Sequence, residues 1–232
     1  MDLEASARNF GVELNGEQER LLRLHLELLE QKNEVVNLTR IVDNEDALIL
    51  HVLDSLTFVP FVNQTDGRVI DIGTGGGFPG VPIAVATGRD VLCIDSVGKK
   101  TDAVQSFADA MGLSNCKAEH VRAEDLARIE SGSFGCVVAR AVDKLSTLFE
   151  YAAPLLCDGG SVIVSKGNLG QEELNAGNRA AKMCGLEIVD HKTFDLPRGY
   201  GHREIIVGKR SLKPSIALPR QNGKAHRVPL GY

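Results

Sequence analysis

The sequence predicts an α/β fold: a mostly parallel sheet of seven strands, covered on both faces and preceded by a helical segment. Three observations predict it. From residue 68 onward, short β-branched runs alternate with longer stretches of helical spacing. That alternation is what a parallel sheet with crossover helices requires. The first run leads straight into a glycine-rich turn, Gly73-Thr74-Gly75-Gly76-Gly77. Acids then follow the next two runs, Asp95 after the second and Glu124 after the third.

Taken in order, residues 17–33 read as an amphipathic helix. Leu21, Leu22, Leu28 and Leu29 fall on one face, and Glu and Arg stand between them. Asn15 suits its N-cap, with Glu17 and Glu19 near the positive end of the helix dipole. A second apolar segment covers 45–61 and ends near Pro60. Strands are expected at 68–72, 90–94, 115–121, 135–139, 161–165, 187–193 and 204–208. Helices are expected at 79–86, 99–111, 144–153 and 172–183. The expected organisation is an N-terminal helical segment (1–66), a main domain (67–210) and a basic C-terminal tail (211–232).

Composition narrows the class. The chain has 232 residues, of which 43% are hydrophobic and 25% charged. That balance supports a packed core and excludes a disordered or collagen-like chain. No apolar run approaches the ~18–20 residues of a membrane span, and the acidic start does not resemble a signal peptide. A cytoplasmic protein without membrane contact is expected. The five cysteines are 20 or more residues apart with no Cys-x-x-Cys, so buried reduced thiols are expected and no metal site. The net charge is −5, unevenly placed. No acid follows Glu204, and six cations lie in 205–232, leaving 20 basic and 31 acidic residues before them. The body is therefore −11 and the tail +6. Such a tail suits one phosphate-rich ligand, or it is a solvated terminus.

In open α/β sheets ligands bind beyond the carboxyl ends of the strands. The turn Asp71-Ile-Gly73-Thr-Gly75-Gly-Gly77-Phe78-Pro79-Gly80 is the first such place. It lacks the Gly-Lys-Ser/Thr of a Walker phosphate loop. Gly75, Gly77 and Gly80 have the spacing of a dinucleotide fingerprint, but they lie two residues too far from the strand. The remaining pattern, Asp71, Gly73, Gly75 and Gly77, resembles the first motif of S-adenosylmethionine-dependent methyltransferases. Asp95, 22 residues after Gly73, is placed to accept ribose hydroxyls in either kind of enzyme.

The longer string Asp71-Ile-Gly-Thr-Gly-Gly-Gly-Phe-Pro-Gly-Val-Pro-Ile-Ala resembles one family in particular, RsmG, the ribosomal RNA small-subunit guanine-N7 methyltransferases first named glucose-inhibited division protein B. Asn37-Leu-Thr, His51-Val-Leu-Asp-Ser-Leu, Asp95-Ser-Val-Gly-Lys-Lys, Arg122-Ala-Glu, Ala139-Arg-Ala-Val, Ser165-Lys-Gly and the tail Leu218-Pro-Arg-Gln-Asn-Gly-Lys stand where that family has them. The resemblance spans roughly residues 15–230. Two departures occur: Gly76 replaces Ala or Pro, and Gly135-Cys136 replaces an aromatic-Asp pair that touches the cofactor in many methyltransferases.

The resemblance implies a class I, Rossmann-like methyltransferase fold and S-adenosyl-L-methionine as cofactor. It implies methyl transfer to N7 of a guanine in the decoding-region loop of 16S ribosomal RNA, naked or in the small subunit. Cofactor contacts are implied at Gly73, Gly75, Phe78, Asp95, Ser96, Val97, Ala123, Glu124 and Arg140. Phe78 either packs on the cofactor or belongs to the core. Arg140 either meets the methionine carboxylate or forms a structural ion pair. Candidate RNA contacts are His51, Lys99, Lys100, Lys166, Arg198, Arg203 and Arg220. The N7 lone pair is nucleophilic without losing a proton, so no general base is expected. With 5% aromatic residues and no tryptophan, an extended base-stacking platform is not expected. A monomer is expected. Rival readings are a methyltransferase for another RNA or a small molecule, a dehydrogenase, and a regulatory protein without turnover.

Overall fold

In the computed structural model, which describes residues 1–41 and 43–232, the alternating runs form a single seven-stranded sheet. Its strands are β1 (Val69–Ile72), β2 (Val91–Asp95), β3 (Cys116–His120), β4 (Phe134–Arg140), β5 (Leu156–Lys166), β6 (Leu186–Asp195) and β7 (His202–Arg210). Their spatial order is β3-β2-β1-β4-β5-β7-β6. β7 runs antiparallel to both neighbours, and the other pairings are parallel. The chain moves outward from β1 to β3 and then returns to the far side of β1 as β4. Between β1 and β4 the loops therefore part, and a crevice opens at their carboxyl ends.

Eleven α-helical segments surround the sheet in the described residues. They are α1 (Leu3–Arg8), α2 (Gly16–Val36), α3 (Asn44–Ala47), α4 (Asp54–Leu56), α5 (Val59–Val62), α6 (Gly80–Thr87), α7 (Gly98–Met111), α8 (Ala123–Ile129), α9 (Leu145–Ala152), α10 (Gln171–Met183) and α11 (Lys224–Arg227). A π-helical turn, Leu48–Leu53, joins α3 to α4, and a 3₁₀ turn covers Pro197–Gly199. Side chains alternate between the faces as a pleated strand dictates. Val69, Cys93, Cys136 and Val138 point to one core, which the N-terminal helices, α6 and α7 cover. Ile70, Leu92, Val137 and Val162 point to the other, under α8, α9 and α10.

Asn15 caps α2 as expected, in a reciprocal pair with Gln18. The segment 45–61 is not one helix. The wide turn at Leu48–Leu53 breaks its register, and Pro60 starts the separate helix α5. Such turns recur at functional sites. Sequence spacing did not find α8, which is seven residues long, too short to show a period. β5 begins five residues earlier than expected. Cys93, Cys116, Cys136 and Cys184 are buried free thiols, and Cys157 is half-buried. Burial pushes the Cys136 thiol up to about 12. Among the described residues no helix is long and apolar enough to cross a membrane.

The last residues are not a frayed end. They run back over α8, α9 and α10, with Ala225 and Leu230 buried and Arg179 Nε donating to Gly231 O at 2.6 Å. Two of the segment's basic side chains meet acids of the body, Arg220 with Glu150 and His226 with Asp143.

Candidate active site

The glycine turn after β1 is built for close approach. Gly73 has φ +74°, and its N–H donates to Ile94 O at 2.8 Å. A Cβ there would lie 2.6 Å from Val142 Cγ2, in the loop after β4. Any side chain would therefore push apart the crevice between β1 and β4, besides the strain of a positive φ. Asp95, the last residue of β2, ties this turn to the next. Its Oδ2 accepts from Gly75 N at 3.2 Å and its Oδ1 from Val97 N at 3.0 Å. Lys100 Nζ stands 3.7 Å from Oδ2.

These loops enclose a cavity of 470 Å³. Gly73, Asp95, Ser96, Val97, Ala123 and Glu124 all line it. Gly75 lies one bond behind, through Asp95. Seven of the nine expected cofactor residues thus converge. Asp143 and Tyr151 also line the cavity, and sequence reasoning missed both, because they lie beyond a strand end on the loop and helix that follow.

Phe78 does not reach this cavity. Its ring is sandwiched between His25, at 4.5 Å, and His51, at 4.7 Å, and is buried. Of the two readings open for it, the structure gives the core one. His25 Nε2 donates to Gly76 O at 2.9 Å, which fixes the proton on that nitrogen. Burial pushes the His25 pKa down to about 4. His51 is pushed down to about 3, by burial first and then by Arg140 and His25. Both rings are neutral at pH 7. His25 was legible: with Leu22, Leu26 and Leu29 it completes the buried stripe of α2. A Cβ at Gly76 would lie 2.8 Å from Leu29 Cδ1, the far end of a flexible side chain.

Arg140 also stands outside the first cavity. Its Nη1 donates to Asp54 Oδ2 at 3.0 Å and to Leu50 O at 2.9 Å. Arg203 Nε donates to the same Asp54 oxygen at 3.0 Å. Arg140 is therefore a buried ion-pair partner, not a ligand of the first cavity. With His51, Asp54, Ser165, Lys166 and Arg203 it lines a second cavity of 350 Å³. The two cavities share Ala141, whose φ of +55° is uncommon for a residue with a side chain. Gly135-Cys136 lie at the opposite end of β4, and so cannot touch either cavity. Gly135 is required there because a Cβ would run into Asp66 O.

The expected RNA residues divide into several groups. His51, Lys166 and Arg203 line the second cavity. Lys166 Nζ also donates to Asp143 O at 2.7 Å and pairs with Glu173. Lys100 belongs to the first cavity, and Lys99 beside it is exposed. Arg198 lies apart, paired with Glu45 at 2.6 Å. Arg220 is engaged within the chain: it grips buried Glu150 with Nε at 2.6 Å and Nη2 at 2.5 Å, and Nη2 also donates to Val228 O. A guanidinium so committed braces the tail against α9.

That brace holds the C-terminal segment as a wall of the first cavity. Gly223 N donates to Glu124 Oε1 at 2.8 Å, and Asn222 Nδ2 to Asp125 at 2.8 Å. His226 Nδ1 meets Asp143 Oδ2 at 2.6 Å. Gly223, His226 and Arg227 face the cavity. Arg220→Ala strands the Glu150 charge, and breaking a buried pair costs about 3–5 kcal/mol. We expect the variant to be destabilised on this scale in urea titrations and cleaved by trypsin near Lys224 sooner than the wild type.

The family model described as GidB, rRNA small subunit methyltransferase G, matches residues 18–204. A ribosomal RNA small subunit methyltransferase G of Desulfitobacterium hafniense (strain Y51) is 36% identical over 226 residues, 96% of this chain and 94% of the relative. One of Deinococcus radiodurans is 38% identical over 233 residues, 98% of this chain and 91% of the relative. Among solved structures, the YcgJ protein of Bacillus subtilis superposes with a TM-score of 0.53 at 15% identity, over 64% of this chain and 93% of that one. An S-adenosylmethionine-dependent methyltransferase of Methanosarcina mazei gives 0.52 at 16%, over 66% and 98%. These likenesses show the fold.

Proposed function

The chain belongs to the rRNA small subunit methyltransferase G family, and we propose that it transfers the methyl group of S-adenosyl-L-methionine to N7 of one guanine in the decoding-region loop of 16S ribosomal RNA. The observation that carries this reading is the pair of cavities meeting at Ala141. One has a carboxylate at a strand end and a glycine, Gly73, on which a Cβ would collide with Val142. The other is ringed by Arg140, Lys166 and Arg203.

The first cavity suits the cofactor. Its 470 Å³ lies within the ~300–1,000 Å³ of small-molecule sites. Asp95 takes the ribose hydroxyls, Ser96 and Val97 border them, and Ala123 and Glu124 hold the adenine end. Gly73 leaves room for the methionine end, and Gly75 steadies Asp95. Bound there, S-adenosyl-L-methionine supplies a methyl group already activated by its sulfonium.

The chain's own task is orientation. A base that reacts inside a helix has to leave the stack, and the second cavity receives it. Arg140 and Arg203, held by Asp54, and Lys166, held by Asp143 O, present fixed positive charge to the RNA. N7 carries a free lone pair, so no side chain has to remove a proton. Correct placement of two reactants is worth up to ~7–11 kcal/mol. The chain acts as a cytoplasmic monomer on this reading.

Lys99 and Lys224 are exposed beside the first cavity. Replacing both with alanine should lower the slope of log affinity against log salt by about 1.4 on single-stranded RNA, at ~0.7 per contact. An unchanged slope means neither touches phosphate. The function itself is tested with labelled cofactor and undermethylated small-subunit RNA, followed by nuclease digestion and nucleoside chromatography. The label is expected in 7-methylguanosine at one position. Label in another nucleoside, or none, refutes the reading.

A further inference from the structure

N7 is common to guanine and adenine, so attack at N7 cannot by itself select guanine. Selection has to come from the edge of the base that differs. Guanine presents donors at N1 and N2 on its Watson–Crick edge and an acceptor at O6. Adenine presents an acceptor at N1 and an amino group at position 6.

Among the described residues, six buried side-chain polar atoms have no hydrogen-bond partner. Buried polar atoms are normally paired, so each exception asks for a cause. None of the six belongs to a residue lining the first cavity. Two belong to residues lining the second: Asp54 Oδ1 and Ser165 Oγ. Asp54 is only 3% exposed and Ser165 only 2%. The other oxygen of Asp54 already accepts from Arg140 and Arg203, each at 3.0 Å. The carboxylate is thus fixed in place with one acceptor unused. Ser165 comes from the end of β5 and Asp54 from the start of α4, so two residues from separate elements, one with an unused acceptor and one with an unused hydroxyl, line one cavity.

Resting on the proposal that the base enters this cavity, we infer that Asp54 Oδ1 accepts from the N1 and N2 donors of guanine while the Ser165 hydroxyl donates to O6. Asp54 is then the specificity-determining residue. Adenine would set its N1 lone pair against the carboxylate oxygen and leave both protein groups unpaired, which a buried site tolerates poorly. The contacts fall on the edge away from N7, which stays free to react.

The test uses the full chain and an RNA fragment carrying guanosine, inosine or 2-aminopurine at the target position. Inosine lacks only the N2 amino group, and 2-aminopurine lacks both O6 and the N1 proton. The wild type should prefer guanosine to inosine by ~10- to 100-fold in kcat/KM, the range of a well-placed base contact. In Asp54→Asn the two arginines keep the amide oxygen, so the NH₂ faces the base donors. Guanosine then falls by a similar factor and the preference collapses toward 1. Should that variant not fold, Ser165→Ala decides. It removes one hydroxyl and should lower kcat/KM on guanosine ~5- to 10-fold with no change on 2-aminopurine. Equal wild-type use of inosine, survival of the preference in Asp54→Asn, or an equal fall on both bases in Ser165→Ala overturns the inference. A wild type that methylates guanosine neither in the fragment nor in undermethylated small subunits refutes the function on which it rests, a result distinct from lost discrimination.

Discussion

Asp95→Ala is expected to weaken S-adenosyl-L-methionine binding by ~100-fold or more. Each hydrogen bond to a charged group is worth about 1.5–3 kcal/mol, and a ribose offers two hydroxyls to the one carboxylate. Two such bonds give about 3–6 kcal/mol, and each 1.4 kcal/mol is a factor of ten. A second loss adds to this. Without the carboxylate, Gly75 N and Val97 N have no acceptor, so the turns after β1 and β2 are no longer tied together. Asp95→Asn keeps one acceptor and should fall between. Equilibrium dialysis with labelled cofactor reads the change directly, and a thermal midpoint within a few degrees of the wild type separates lost binding from lost folding. A drop of less than threefold in the alanine variant removes Asp95 as the ribose ligand.

Acid should unfold this protein early. In the unfolded chain His25 and His51 take protons near 6.5, but in the fold burial holds them at about 4 and about 3. Protonation therefore favours the unfolded state. The stability these rings contribute is complete above pH 6.5 and is lost as the pH falls toward their folded values. At pH 5 each has lost about 1.5 pK units, or about 2 kcal/mol at 1.36 kcal/mol per unit. Asp71 works the other way. Burial raises its pKa to about 6 from 3.8, so the folded state takes that proton first. It returns roughly 1.4 kcal/mol between pH 7 and 5. The net loss is about 2–3 kcal/mol, a large share of the ~5–15 kcal/mol of a typical domain. Urea midpoints at pH 7 and pH 5 measure it. His25→Gln keeps a donor toward Gly76 O and should recover about 2 kcal/mol of the loss at pH 5. No recovery would mean that another group titrates.

The sheet, its glycine turn and most of the first cavity were legible because they depend on chain order alone. A strand followed by a glycine turn, and acids after the next strands, place Gly73, Asp95, Ser96, Val97, Ala123 and Glu124 at one edge wherever their side chains point. The direction of a side chain was harder to read, and Arg140 shows why. It follows Cys136 and Val138 in the two-residue period of β4, and those face the core under the N-terminal helices. Arg140 accordingly turns toward Asp54 and not toward the first cavity. Phe78 follows the glycine turn, yet stacking between two histidines from α2 and the π-helical turn claims its ring. Those partners lie 53 and 27 residues away in the sequence, beyond any local pattern. Arg220 reads in the sequence as a candidate RNA contact because Glu150, its partner in the fold, is 70 residues upstream. Only the opposed charges of body and tail hinted that the tail folds back.

All of these assignments depend on one ligand lying over the carboxyl ends of β1, β2 and β3. Calorimetric titration of the intact chain with S-adenosyl-L-methionine, and in parallel with NADH, tests this most directly. The account predicts a saturable heat with one site per chain for the first ligand and none for the second. Saturation by NADH with no heat from S-adenosyl-L-methionine would contradict it.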